Sequence, residues 1–379
     1  MNVITVEKNR VNKITPNQVV TVVYMNNGTV EIEHLANKSS GLNGIKKMSK
    51  SSCVNTETGE VFDFIPSENR AQSSESARKS YKKLRRLINN NFYGNASELF
   101  ITLTYGVQFM LLKKGWITKR QKARAKMNYI LHGKKKNKTI GEICVARKYI
   151  TQEQLDTVYA EMRDAKIFYD NFRKFMGRFR TKYESDCGRI EFICVKEPQG
   201  SKNHYAWHAH LLIKFMDLRR APFIDNEDVL QPMWGFGLTK CQSLKDINKA
   251  ASYVSSHFDL PVDEVDEDFI KDVPPDLIVE KEITNLEGNA EIKQVIKCGR
   301  LSLYPSGVKI YSSSNGMIPP EIRKMRFKTA LKTVRGKMRT YSKTIEIIDE
   351  DTGICLNKYT VKQYQNKKKS KRYNYSKCK

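Results

Sequence analysis

Two histidines separated by one residue, His208-Ala-His210, lead into the apolar run Leu211-Leu-Ile213. Successive side chains of a strand alternate faces, so His208 and His210 project to one side and Trp207, Ala209 and Leu211 to the other. Two imidazoles placed in this way are half of a metal site, because neutral imidazole is the commonest metal ligand in proteins. A pair of unrelated surface histidines is the plainer alternative, and the neighbouring residues decide. Upstream, Arg189-Ile-Glu-Phe-Ile-Cys-Val-Lys-Glu197 reads as a second strand and the following Pro198-Gln-Gly-Ser-Lys-Asn-His204 as a turn. The pattern over 186–214 therefore predicts a β-hairpin with Glu197 at its mouth, beside His208. Two nitrogens and one carboxylate oxygen on one side of an ion leave its other positions to water and phosphate oxygens. Such a set favours Mg2+ or Mn2+ over a closed structural zinc site.

A nucleophile is offered further on. In Leu244–Phe258 the residues Leu244, Ile247, Ala251, Val254 and Phe258 form an apolar stripe at helical spacing. At about 100° per residue, Tyr253 lies roughly 140° from the centre of that stripe. It shares a polar face with Lys249 one turn earlier and His257 one turn later. Tyrosine titrates near pH 10 and is a weak nucleophile, so attack on a phosphodiester needs help. A divalent cation supplies it by stabilising charge in the in-line transition state. The product would be a 5′-phosphotyrosine and a free 3′-hydroxyl. The covalent bond conserves the phosphodiester energy, so rejoining needs no NTP, and no GxxxxGK[ST] motif is present.

The elements that must position these groups sit in a basic chain of 379 residues, with 67 Lys and Arg against 41 Asp and Glu, a net charge of +26. That balance is the footprint of a polyanion binder. No apolar run is long enough to span a bilayer and the N-terminus lacks the pattern of a secretion signal. The eight cysteines contain no CxxC pair. A zinc ribbon is thereby disfavoured, and free thiols in a reducing cytoplasm are expected. Residues 1–75 read as a β-rich extension, with a hairpin at Asn26-Asn27-Gly28. Ala77–Asn90 is a basic helix, with Leu84, Leu87 and Ile88 inward and Lys83, Arg85 and Arg86 outward. Phe100-Ile-Thr-Leu-Thr-Tyr105 is a strand with Thr102 and Thr104 on one face. A basic insertion covers about 113–150; its end suggests two short helices, with Thr151 and Gln154 as a capping pair. They would make either a helix-turn-helix reader of duplex DNA or, more simply, a basic helical lid. Thr151–Tyr183 is the longest helical pattern, its phenylalanines (Phe168, Phe172, Phe175, Phe179) spaced for core packing. An acidic connector spans 259–276, a C-terminal region 277–366, and a basic tail, expected to be disordered, 367–379.

The order Phe100-Ile-Thr-Leu-Thr-Tyr105, Glu197, His208-Ala-His210, Trp234-Gly-Phe-Gly237, Tyr253 resembles rolling-circle replication initiators of the HUH endonuclease superfamily. The basic helix before the first motif and Arg300–Ser306 after the last resemble the plasmid and filamentous-phage gene-II-like branch. The resemblance covers roughly 77–330 and implies an α+β fold, a central antiparallel sheet with helices packed on one face, ferredoxin- or RRM-like. It implies nicking and rejoining of single-stranded origin DNA, extruded as a hairpin or melted, with a host helicase and DNA polymerase as partners. It makes Tyr253 the nucleophile, Lys249 or His257 the phosphate-orienting cation, and Glu197, His208 and His210 the metal ligands. DNA contacts are expected from Thr102, Thr104, Tyr105, Lys83, Arg85 and Arg86. Relatives often carry a lysine three residues, or a second tyrosine four residues, after the nucleophile. Here Ser256 and His257 occupy those positions, which favours a one-tyrosine mechanism. A conjugative relaxase or a single-tyrosine transposase shares this chemistry. A non-catalytic nucleic-acid-binding protein would account for the charge alone.

Overall fold

The computed structural model describes residues 3–8, 13–36, 45–49, 52–56, 58–63, 67–71, 74–133, 138–244, 258–271, 273–284, 290–349 and 352–366. The chain divides into two units: residues 1–66, 89–91 and 318–379 form one, residues 67–88 and 92–317 the other. No helix among the described residues is long and apolar enough to cross a membrane. The described cysteines are all free thiols. The basic tail 367–379 lies outside the described residues.

The terminal unit joins the two ends of the chain in one sheet. β1 (Val3–Lys8), β2 (Val19–Tyr24) and β3 (Val30–Leu35) combine with β15 (Glu321–Arg326), β16 (Met338–Asp349) and β17 (Cys355–Gln365) in the order β1-β16-β17-β3-β2-β15. The turn between β2 and β3 contains Gly28 at φ 86°, the left-handed backbone that a tight asparagine-glycine hairpin requires. Val20, Val22, Val30 and Ile32 from alternate strand positions pack against Phe327 and Ala330 of a short helix, Phe327–Thr333. A small sheet of β4 (Ile45–Lys47), β5 (Ser52–Asn55) and β6 (Val61–Asp63) completes this unit.

The larger unit is built on an antiparallel sheet of order β10-β7-β9-β8-β14, comprising β7 (Glu98–Tyr105), β8 (Ile190–Pro198), β9 (Trp207–Phe215), β10 (Gly237–Ser243) and β14 (Tyr311–Ser313). Period-two alternation gives each strand two faces. Ile101, Leu103 and Tyr105 of β7 and Trp207, Ala209, Leu211 and Ile213 of β9 belong to the main core. Five helices cover that face: α2 (Val107–Lys113), α3 (Lys119–Asn128), α4 (Ile140–Ala146), α5 (Gln152–Arg163) and α6 (Ala165–Cys187). Phe168, Phe172, Phe175 and Phe179 of α6 are all buried there, each contributing roughly 1.5–3 kcal/mol of apolar burial. The opposite face carries a smaller cluster in which Phe100, Leu212, Ile193 and Val195 meet Leu84 and Ile88 of α1 (Ser74–Asn91). Helices thus lie on both faces, most of them on one. A three-stranded sheet, β11 (Leu260–Pro261), β13 (Ala290–Ile296) and β12 (Ile278–Thr284), follows the central sheet in sequence.

Two sequence expectations change in detail. The helical pattern read as continuous over Thr151–Tyr183 is broken at Asp164, whose extended backbone (φ −77°, ψ 114°) ends α5. Its carboxylate accepts from the N–H groups of Lys166 and Ile167 at 2.7 and 2.9 Å, capping α6. Thr151 and Gln154 do form the expected capping box, and Thr118–Gln121 and Thr139–Glu142 form two more. The helix expected over Leu244–Phe258 lies, from residue 245 to 257, outside the described residues.

Candidate metal centre

Register converts three separate sequence segments into one cluster. β8 and β9 pair so that Glu197 stands opposite His208 and Val195 opposite His210. On the other flank β7 sets Thr104 opposite His208 and Thr102 opposite His210. All six side chains therefore project from the face that carries α1. His208 and His210 bring their Nε2 atoms to 2.7 Å of each other. Glu197 Oε1 lies 3.5 Å from the first and 3.7 Å from the second. Glu197, His208 and His210 are 3%, 9% and 1% exposed, so little bulk water reaches them.

The threonines determine which nitrogens converge. Thr104 Oγ1 lies 3.3 Å from His208 Nδ1, and Thr102 Oγ1 lies 3.4 Å from His210 Nδ1. A ring that donates Nδ1–H to a hydroxyl keeps its lone pair on Nε2. Two such lone pairs and a carboxylate oxygen then aim at one small volume. Unfilled, that arrangement concentrates negative potential in a buried place; a cation is what it fits. Among the described residues this trio is the group whose ligand atoms gather closely enough to hold a metal ion. Phe100 packs its ring 5.4 Å from that of His210 and closes the cluster below. Thr104→Val keeps shape but removes the acceptor, so Mn2+ affinity measured by calorimetry should fall about 10- to 100-fold. Thr104→Ser should retain most of it. Equal affinity in the valine variant would mean that the hydroxyl does not orient the ring.

β8 is fastened from behind by groups that sequence reasoning did not assign to the site. Arg300, 4% exposed, donates to the carbonyl of Pro198 at 2.9 Å and pairs with Glu264 at 3.2 Å. Burial alone would lower the pKa of its guanidinium, but the carboxylates of Glu197 and Glu264 hold it above the usual value, so it stays cationic beside the metal ligand. Tyr304 donates its hydroxyl to the carbonyl of Lys196 at 2.6 Å. The loop between β8 and β9 is equally restrained. His204 and Tyr205 both adopt left-handed backbone, φ 54° and 55°, a conformation costly for residues with a Cβ. It is held because His204 stacks on Tyr159 at 3.9 Å and Tyr205 donates to Asp266 at 2.7 Å. The acidic connector is thus one of the parts that grip the hairpin. Arginine in the Arg300-Leu-Ser-Leu-Tyr304 run was visible in sequence, but nothing local said which strand it would reach.

The remaining candidates are distributed as follows. Tyr105 was expected to contact DNA and does not face the site. It points to the main core, 5% exposed, where Asn171 donates to its hydroxyl at 2.9 Å and Phe168, Trp234 and Phe236 surround it. One residue of strand separates it from Thr104, and that single step reverses the face. Burial raises its pKa far above the ordinary phenol value. Lys83 is exposed on α1, and Arg85 and Arg86 are half-buried. Trp234, fully buried, donates to the carbonyl of Thr104 at 3.1 Å. A Cβ on Gly237 would overlap that same carbonyl, so this position admits only glycine without displacing β7. Lys240, opposite Thr102 in β10, adds a cation to the face that carries the histidines. Tyr253, Lys249 and His257 lie outside the described residues. The chain re-enters the described structure at Phe258, whose carbonyl accepts from the N–H of Arg300 at 3.1 Å.

Comparison with known proteins adds a family. Residues 157–259, about a quarter of the chain, match the family model described as Replication-associated protein ORF2/gene II protein. The matched stretch runs from within α5 through the hairpin and β10 and past Tyr253, so it contains Glu197, both histidines and the tyrosine. It points to a replication-associated protein. No curated protein and no solved structure matches.

Proposed function

We propose that this chain initiates rolling-circle DNA replication by cutting and resealing one strand of origin DNA through a covalent tyrosine intermediate. The reading proceeds from the similarity of residues 157–259 to replication-associated proteins and is carried by one observation. That observation is the convergence of His208 Nε2, His210 Nε2 and Glu197 Oε1 on the open end of a sheet. Glu197, His208 and His210 would hold a divalent cation, Mg2+ or Mn2+, which when bound polarises the scissile phosphate and stabilises charge as the two P–O bonds exchange.

The protein residues supply the rest. Tyr253 gives its phenolic oxygen to the scissile phosphorus and loses its proton, while the O3′ of the neighbouring nucleotide leaves and takes up a proton. One P–O bond forms and one breaks, so the reverse attack by a 3′-hydroxyl reseals the strand. Lys249 or His257 holds a non-bridging phosphate oxygen by charge-assisted hydrogen bonding. Thr102 and Thr104 keep the imidazoles in the tautomer that presents Nε2. Lys83, Arg85 and Arg86 on α1 border the same face and neutralise flanking phosphates. The free 3′-hydroxyl then primes a host polymerase on a template opened by a host helicase. With one tyrosine, termination requires a second protomer or a second turnover.

The test is covalent capture. Full-length protein is mixed with labelled single-stranded fragments tiling its own replicon and with Mn2+, then quenched in denaturant. The expected result is a labelled adduct of protein size, absent with EDTA, whose tryptic nucleotidyl-peptide contains Tyr253. No adduct on any fragment would replace this reading with a non-catalytic nucleic-acid-binding protein.

A further inference from the structure

From Leu99 to Gly141 the chain has eleven Lys and Arg and no Asp or Glu. This stretch lies outside the part matched by the family model. Where α2 ends, Lys113 sets its ammonium 3.4 Å from the ring centroid of Phe236, just before β10. One turn earlier on the same side of α2, Phe109 carries Lys122 of α3 at 3.5 Å. Burial, then the charges of Arg178 and Lys174 on α6, lower the pKa of Lys113. Burial and Lys126 do the same to Lys122. Arg178 is fixed by its Nε donating to the carbonyl of Met233 at 3.0 Å.

Neighbouring cations have carboxylate partners: Lys114 pairs with Glu161, Arg173 with Asp170 and Arg180 with Glu184. Among the described residues, Lys113, Lys122, Lys126, Lys174 and Arg178 have none. A merely solvated basic face leaves lysines free to spread apart. Here aromatic faces and a backbone carbonyl pin three of the five in place, close enough to perturb one another. A polyanion relieves that repulsion, whereas a neutral partner does not. The rings are already covered by ammonium groups, so the surface offers charge and not base stacking. The position matters too. Phe236 leads directly to Leu238, which stands opposite Thr104 on the metal face and is 55% exposed.

We propose that Lys113, Lys122, Lys126, Lys174 and Arg178 form a track for a nucleic-acid phosphate backbone, carrying single-stranded DNA away from the metal face around the edge of β10. The track rests on the nucleic-acid part of the function proposed above and not on its tyrosine chemistry. Its test therefore reads binding alone.

Anisotropy of a labelled long oligothymidylate, and of a duplex of equal length, is titrated with the full chain in EDTA across a range of salt. Three proteins are compared: the natural chain, Lys113→Gln/Lys174→Gln/Arg178→Gln, and a control with Lys324→Gln/Lys328→Gln/Lys332→Gln on the terminal unit. Each phosphate that is no longer neutralised should reduce the slope of log K against log salt by about 0.7 on single strands. The track variant should therefore have a slope about 2 smaller and bind oligothymidylate more weakly, with the control close to the natural chain. A second variant, Lys122→Gln/Lys126→Gln, should have a slope smaller by about 1.4; it leaves Phe236 untouched and covers a folding failure of the first. A Lys113→Arg/Lys174→Arg protein should bind as the natural chain does, which a packing defect would not allow. Slopes equal to the control, or weakening seen only on the duplex, overturn the track. Loss of adduct formation with intact slopes would touch the tyrosine chemistry alone.

Discussion

Replacing His208 or His210 with alanine is expected to abolish metal-dependent nicking, by roughly a thousandfold or more, while single-stranded DNA is still bound. A metal ion's charge stabilisation is worth several kcal/mol, and each 1.4 kcal/mol is tenfold in rate. The two positions differ in a way that separates chemistry from folding. His210 is 1% exposed and packs under Phe100, so its truncation also leaves a cavity. His208 is 9% exposed and nearer the open end, so His208→Ala is the cleaner variant. Binding of Mn2+ to the natural chain at a hundredfold over its dissociation constant should stabilise it by about 2.7 kcal/mol, visible as a rise in melting temperature. That rise should vanish in His208→Ala, and the metal-free melting temperature should barely change because two crowded lone pairs become one. A His208→Ala protein that still gains stability from Mn2+ and still nicks would remove the metal centre from the mechanism.

Tyr253→Phe is expected to lose the covalent adduct and nicking by at least about 10⁴-fold, the scale on which removal of an enzymic nucleophile acts. Phenylalanine keeps the ring and deletes one oxygen. Mn2+ binding, the melting temperature and the salt dependence of DNA binding should therefore stay as they are. Lys249→Gln and His257→Gln, made separately, should divide unequally. The one that holds the phosphate should lose about 10²- to 10³-fold in rate, as removal of one transition-state donor does, and the other much less. Nicking that survives in Tyr253→Phe would mean attack by water or by another residue, and mass spectrometry of the adduct would tell which.

Much of the site was legible because its signals are local. Alternation over Trp207–Phe215 already put His208 and His210 on one face. A turn of the length of Pro198–Ala206 already brought Glu197 back beside them, and the structure pairs Glu197 with His208. The phenylalanine spacing of α6 announced the core that it enters. Tyr105 shows where the local signal misleads. It ends the same β-branched and aromatic run as Thr102 and Thr104, and only the direction of its alternate face, set by which side the helices occupy, buries it. Asp164 is a comparable case, since a helix-capping aspartate inside an apolar repeat reads as a surface residue until its backbone is seen to be extended.

By itself the sequence determined the donors, the offered nucleophile, the basic balance and the strand and helix periods, because each depends on residue type and short spacing. Only the tertiary structure decided what holds them. Thr104 reaches His208 across 104 residues of chain through the register of β7 on β9. Arg300 grips the carbonyl of Pro198 from 102 residues away. Val3 pairs with Asp349, from the opposite end of the chain. Such contacts cost loop closure and are repaid only by burial and pairing in the assembled sheet. No short window of sequence carries their energy, and for that reason none could announce them.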